Sequence, residues 1–100
     1  MAMEISKKAQ KILIQISGIR NMERGKVCKM KGRKGFNHQI WQKGRNIVKY
    51  VHSEDVPDIE QDIKQYKHFL DLVEKYADEI IKQSRKEREI KSEKRKLGKD

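Results

Sequence analysis

The chain lacks most of the simple devices that would staple or anchor a small protein. It has a single cysteine, Cys28, so no intramolecular disulfide can form and nothing calls for an oxidising compartment. Proline occurs once, at Pro57, and aromatic residues make up only 6% of the chain. The longest strongly apolar run is Ile12-Leu13-Ile14, far short of the roughly 20 residues that span a bilayer. The N-terminus shows neither the apolar stretch nor the small-residue cleavage site of a signal peptide, so the expected compartment is the cytoplasm. Acids are nearly missing from one long stretch. Between Arg20 and Lys49 ten Lys or Arg stand against Glu23 alone.

What is present is charge. Of 100 residues, 40% are charged and 35% hydrophobic, with a net charge of +10. That apolar share supports one small domain with a modest core, and small cores often gain stability by self-association. An excess of cations favours a polyanionic partner, because each cation placed near a phosphate releases condensed counterions. The charge is also segregated. Residues 20–49 carry +9, whereas residues 50–81, with nine acids and three lysines, carry −6. The polyanion contact is therefore expected on the central stretch.

The periodicities predict an α+β domain over residues 1–88 with a charged, frayed tail at 89–100. Ile5, Ala9, Ile12, Leu13 and Ile16 fall on one face of a helix over 4–17, with Gly18 placed for a left-handed C-terminal cap. Three antiparallel strands follow at about 25–31, 36–42 and 46–52. Gly32 and Gly35 mark the first turn and Lys43-Gly44 the second. Ser53 is positioned to cap a long helix over about 54–88, with Glu54, Asp55 and Asp58 near its N-terminus. Along that helix Ile59, Ile63, Tyr66, Leu70, Val73, Ala77 and Ile80 form a seam, widened by Phe69, Leu72, Tyr76 and Ile81. The seam is too long for one small sheet to cover. Its C-terminal half is expected to pack on the first helix, on a second copy of the chain, or on both.

Alternation along the strands predicts two sheet faces. Cys28, Met30, Phe36, His38, Ile40, Val48 and Tyr50 are assigned to the inner one. Val27, Lys29, Lys31, Asn37, Gln39, Trp41, Lys43, Ile47 and Lys49 are assigned to the outer one. The outer face would be cationic, and it supplies the candidate nucleic-acid contacts. Arg24, Lys29, Lys31, Arg33, Lys34, Lys43, Arg45 and Lys49 would meet phosphates or, for Arg45, a guanine edge. Asn37 and Gln39 could pair with an adenine edge, and Trp41 could stack on a base. The competing reading of the same residues is a solvated face with lysines guarding the sheet edges.

Other chemistry finds little support. Cys28, His38, His52 and His68 show no zinc-type spacing, so no metal or cofactor is expected. His38 reads as a satisfied sheet histidine, His52 as part of the strand-to-helix junction, and Cys28 as core filler. No nucleophile has an evident base and no glycine motif cradles a phosphate. The acids Asp71, Glu74, Asp78 and Glu79 read as solvated helix surface. Neither catalysis nor a small-molecule substrate is expected.

From Ile19 to about Glu89 the chain resembles an uncharacterised prokaryotic domain family often encoded beside transposases and phage-like genes. The resemblance rests on IRNMERGKV, IWQKGRNIVKYV and VPDIEQDIKQYKHFLDLVEKYADEI. Members commonly carry a cysteine cluster between the first two strands, where this chain has KGRKG and no ligand for a metal. The layout of sheet and helix is also similar to the arm-site-binding domains of integrases, in which the sheet enters the major groove. Together these readings predict a non-enzymatic nucleic-acid-binding protein, DNA favoured over RNA, forming a homo-oligomer away from membranes. The alternative is an oligomerising interaction module built on the long helix.

Overall fold

A computed structural model describes residues 4–98. The elements run α1 (Lys7–Ser17), β1 (Lys26–Lys29), β2 (Phe36–Gln42), β3 (Arg45–Val51), a 3-10 turn (Ser53–Asp55) and α2 (Val56–Leu97). This is the expected α+β order. Two compact units result: Ile19–Leu70 forms one, and Met1–Gly18 with Asp71–Asp100 forms the other. Among the described residues no helix is long and apolar enough to cross a membrane.

The helical unit is built on α1. Ser6 caps it, its side chain accepting from the Ala9 N–H at 3.1 Å, and Ala9 and Ile12 are buried as their spacing predicts. Gly18 ends the helix with φ −80°, in the right-handed region, so the expected left-handed cap does not form. The Gly18 N–H instead shares itself between the Ile14 and Gln15 carbonyls, each at 3.2 Å. From α2 the unit takes Leu72, which is buried, and Tyr76, Ala77 and Ile80, which are half-buried. Gln83 Nε2 donates to the Glu4 carbonyl at 3.0 Å. Glu79 is not the solvated acid expected of it. Its side chain is only 11% exposed, with Lys8 and Lys82 Nζ each 3.5 Å from its oxygens. Lys8 of α1 and Glu4 just ahead of it thus meet α2 at Glu79 and Gln83, which is one of the placements expected for the first helix. In this unit the seam is left uncovered at Val73, and Ile81 of its widening is exposed as well.

The sheet unit has strand order β1-β2-β3, antiparallel throughout. β2 and β3 are joined by Lys43 and Gly44 alone, with φ of 51° and 74°, the two positive values that a type I′ hairpin turn requires. That turn pairs Gln42 with Arg45, and hence Trp41 with Asn46, Gln39 with Val48 and Asn37 with Tyr50. On the other side Lys26 pairs with Gln39, Val27 with His38, Cys28 with Asn37 and Lys29 with Phe36. Directly opposed residues share a face, and this corrects the expected faces. β2 is as assigned, but β1 and β3 are turned over relative to it. Val27, Lys29, Ile47 and Lys49 lie on the face of Phe36, His38 and Ile40. Cys28, Val48 and Tyr50 lie on the face of Asn37, Gln39 and Trp41. The parity of each hairpin loop sets this relation, whereas alternation within a single strand does not.

The connector before β1 ties the sheet to the first part of α2. The Glu23 N–H donates to the Asp62 carbonyl at 3.0 Å, and the Arg24 guanidinium sits 5.3 Å from the centre of the Tyr66 ring. His38 is 4% exposed, with Nε2 2.6 Å from the Arg24 carbonyl, which can only accept. It is the satisfied sheet histidine that was expected. Val51, Val56 and Ile63 are buried in the same unit. The cap before α2 is His52 rather than Ser53. Its ring nitrogen accepts from the Glu54 N–H at 3.4 Å, and Ser53 lies inside the 3-10 turn. Pro57 is the second residue of α2, where its missing N–H has no helical partner to lose. At the far end the helix continues past Arg88 to Leu97.

Gly25 is the tightest point of the connector. Its φ is +92°, and a Cβ placed on it would lie 2.0 Å from the Gln39 carbonyl oxygen. Gly25→Ala must therefore strain the backbone and push β1 off β2. The expected loss is on the order of 2–3 kcal/mol of unfolding free energy, measured by chemical denaturation. A loss below about 0.5 kcal/mol would contradict this packing.

Candidate nucleic-acid interface

The sheet has a helix-side face and an open face. The helix-side face carries the buried His38 and Val51 and the half-buried Phe36 and Ile40. The open face carries Lys26 and Cys28 from β1, Asn37, Gln39 and Trp41 from β2, and Asn46, Val48 and Tyr50 from β3. Trp41 is 71% exposed and Tyr50 67%. Two aromatic rings, three amides and one lysine are a different surface from the cationic one expected.

Four cations border this face at its two ends. Lys31, Arg33 and Lys34 lie in the β1–β2 loop, and Lys43 lies in the β2–β3 turn. All four are exposed. Lys29, Arg45 and Lys49 belong to the helix-side face of the edge strands but are exposed there. Arg24 is also on the helix side, its guanidinium engaged over Tyr66. Of the residues expected to bind nucleic acid, Asn37, Gln39 and Trp41 are brought together on one face, Lys31, Arg33, Lys34 and Lys43 lie in the loops at its ends, and Arg24, Lys29, Arg45 and Lys49 fall on the helix side.

Tyr50, Val48 and Asn46 are open-face residues that alternation alone misplaces or passes over. The signal that finds them is the two-residue Lys43-Gly44 turn, which forces an odd-numbered strand position to share a face with an even-numbered one. Tyr50 is also seated. A Cβ on Gly35 would lie 2.5 Å from Tyr50 Cε2 and 2.7 Å from Met30 Cε. The glycine expected to mark a turn thus leaves room for the edge of the Tyr50 ring. Met30 and Gly35 are linked by the Met30 N–H to the Gly35 carbonyl at 3.0 Å.

The helix seam divides. Ile63 is buried and Ile59 and Tyr66 are half-buried in the sheet unit, while Leu70 there and Val73 in the helical unit are exposed. Among the described residues no three of His, Cys, Asp and Glu gather as a metal site. A shallow cleft in the sheet unit is lined by Met22, Glu23, Arg24, Ile40, Gln42 and Tyr66.

No family model, curated protein or solved structure matches the chain. The sheet and its surroundings therefore carry the functional reading by themselves.

The register has a direct test, because Cys28 is the only thiol and lies opposite Asn37. Asn37→Cys should oxidise to an intramolecular disulfide, since opposed residues of an antiparallel pair come within the reach of one. Thiol titration and mass measurement read the result. Two free thiols after oxidation, in a folded monomer, would rule this register out.

Proposed function

We propose that this is a non-enzymatic DNA-binding protein whose sheet unit makes the contact. The observation that carries the reading is the bracketing of an exposed amide-and-aromatic face, at its two ends, by exposed Lys31, Arg33 and Lys34 in the β1–β2 loop and Lys43 in the β2–β3 turn. Cations at that rim neutralise phosphates and release counterions, while amides and rings meet the bases. The acidic stretch at 50–81, with its net −6, repels a polyanion from the helix and favours approach to the sheet. A connection to mobile DNA elements rests on the family resemblance alone.

Titration of labelled DNA against salt tests the proposal. Log affinity should fall linearly with log salt. The triple variant Lys31→Ala, Arg33→Ala, Lys34→Ala should flatten that slope by about 2–3, close to 0.9 for each phosphate it no longer neutralises. An unchanged slope removes the loop from the interface. Failure to bind any DNA at low salt refutes the function, and clear preference for RNA of matched length replaces DNA with RNA.

A second reading has its own observation. Val73 and Ile81 are exposed apolar residues of α2 within the helical unit, and a second copy of the chain covering them would make the protein a homodimer. Sedimentation should then show a dimer that Val73→Glu with Ile81→Glu converts to a folded monomer. A wild-type monomer at high concentration disposes of the dimer.

A further inference from the structure

We infer that the open face is a two-position stacking platform for unpaired nucleotides, with one base on Trp41 and another on Tyr50. This deepens the nucleic-acid reading above and rests on it. The open face holds one lysine among its strand residues, too little charge to lie flat along the phosphates of a duplex. Both of its aromatic rings are largely exposed, Trp41 at 71% and Tyr50 at 67%. Inside a duplex the flat faces of the bases are already stacked on one another, so exposed rings have nothing to pair with there. In an unpaired strand those faces are free, and stacking on an aromatic side chain tolerates any base.

The pairing register adds an arrangement that chance placement would not require. Trp41 lies opposite Asn46 and Tyr50 lies opposite Asn37. Each ring thus has an asparagine as its direct cross-strand neighbour, about 5 Å away between Cβ atoms. A base stacked on the ring presents its Watson–Crick edge sideways, and a neighbouring amide can both donate to it and accept from it. The two ring–amide pairs stand four residues apart along the strands, about 13 Å at a strand's rise. Between them lies the pair of Gln39 and Val48. The basic β1–β2 loop and Lys43 flank the platform at its opposite ends, beside Tyr50 and Trp41 respectively. A strand running from one ring to the other would thus meet cations at both ends. Tyr50 needs little reorganisation, because its ring edge already rests against Gly35.

Trp41 is the only tryptophan, so its emission reports on one of the two positions directly. Oligothymidylate should quench it, and an equal length of duplex DNA should not. Oligouridylate is the second arm: quenching by either oligomer supports the platform, and the tighter binder identifies the source. Trp41→Ala and Tyr50→Ala should each weaken single-strand binding about ten- to a hundred-fold without changing the salt slope, since neither removes a cation. Gly35→Ala, which displaces the Tyr50 ring while retaining it, should reproduce the Tyr50→Ala loss. Thermal unfolding of each variant verifies that the fold survives. Salt-dependent binding that neither quenches Trp41 nor responds to the two ring substitutions overturns the platform and leaves the nucleic-acid reading standing. Absence of binding to every nucleic acid at low salt defeats both. Loss of self-association in the ring variants, with nucleic-acid affinity unchanged, makes the face a protein interface and also overturns the platform.

Discussion

Gly25 lets the chain pass against the backbone of Gln39 at a distance that any side chain would forbid, and the sheet unit is assembled around that crossing. Because the connector lies so close, the Arg24 carbonyl can reach the buried His38 ring, the Arg24 guanidinium can settle over Tyr66, and the Glu23 amide can meet the Asp62 carbonyl. Each contact joins the connector either to β2 or to α2. A net contribution of about 1 kcal/mol per hydrogen bond is ordinary, but with so few buried apolar residues their role in holding sheet and helix together is proportionately large. No large side chain among the described residues is fully enclosed. Backbone crossings and polar contacts do here some of what a thicker core does in a larger domain.

The division of charge follows the same architecture. α2 begins with acids close to its N-terminus, where they favour the helix dipole, and the cations are left to the loops and edge strands of the sheet. Edge strands benefit from lysine for a second reason, since charge there discourages pairing with another chain. Lys29 and Lys49 can serve that purpose whatever the sheet binds. Their position on the helix-side face separates two explanations that composition alone cannot separate: charge as protection of an edge and charge as contact with a ligand.

Much of the fold was legible because its signals are local. Ala9 and Ile12 follow the helical period, Phe36, His38 and Ile40 follow strand alternation, and the long stripe from Ile59 onward has the helical spacing. The candidate site was legible in part. Asn37, Gln39 and Trp41 share the expected face, but Tyr50 and Val48 were assigned to the wrong one, as were Lys29 and Lys49. The physical reason is that β3 has apolar residues on both faces, Ile47 and Val51 on one and Val48 and Tyr50 on the other, so its own pattern does not choose between them. Gly18 and Glu79 were misread for different reasons. A glycine after a helix permits a left-handed cap without requiring it, and a carboxylate's burial depends on where two lysines from different helices end up.

The Lys43-Gly44 turn is two residues of a chain of one hundred, yet it determines which chemistry the third strand presents to solvent. Inserting one residue there, with β3 slipping by one position so that the two-residue turn is kept, would set Arg45, Ile47 and Lys49 opposite Trp41, Gln39 and Asn37 in place of Asn46, Val48 and Tyr50. The aromatic and amide surface would become an aliphatic and cationic one without a single strand residue changing. Such a hairpin gives evolution a route to a new binding surface through loop length alone, and it makes the length of this turn more informative about function than the identity of any one lysine beside it.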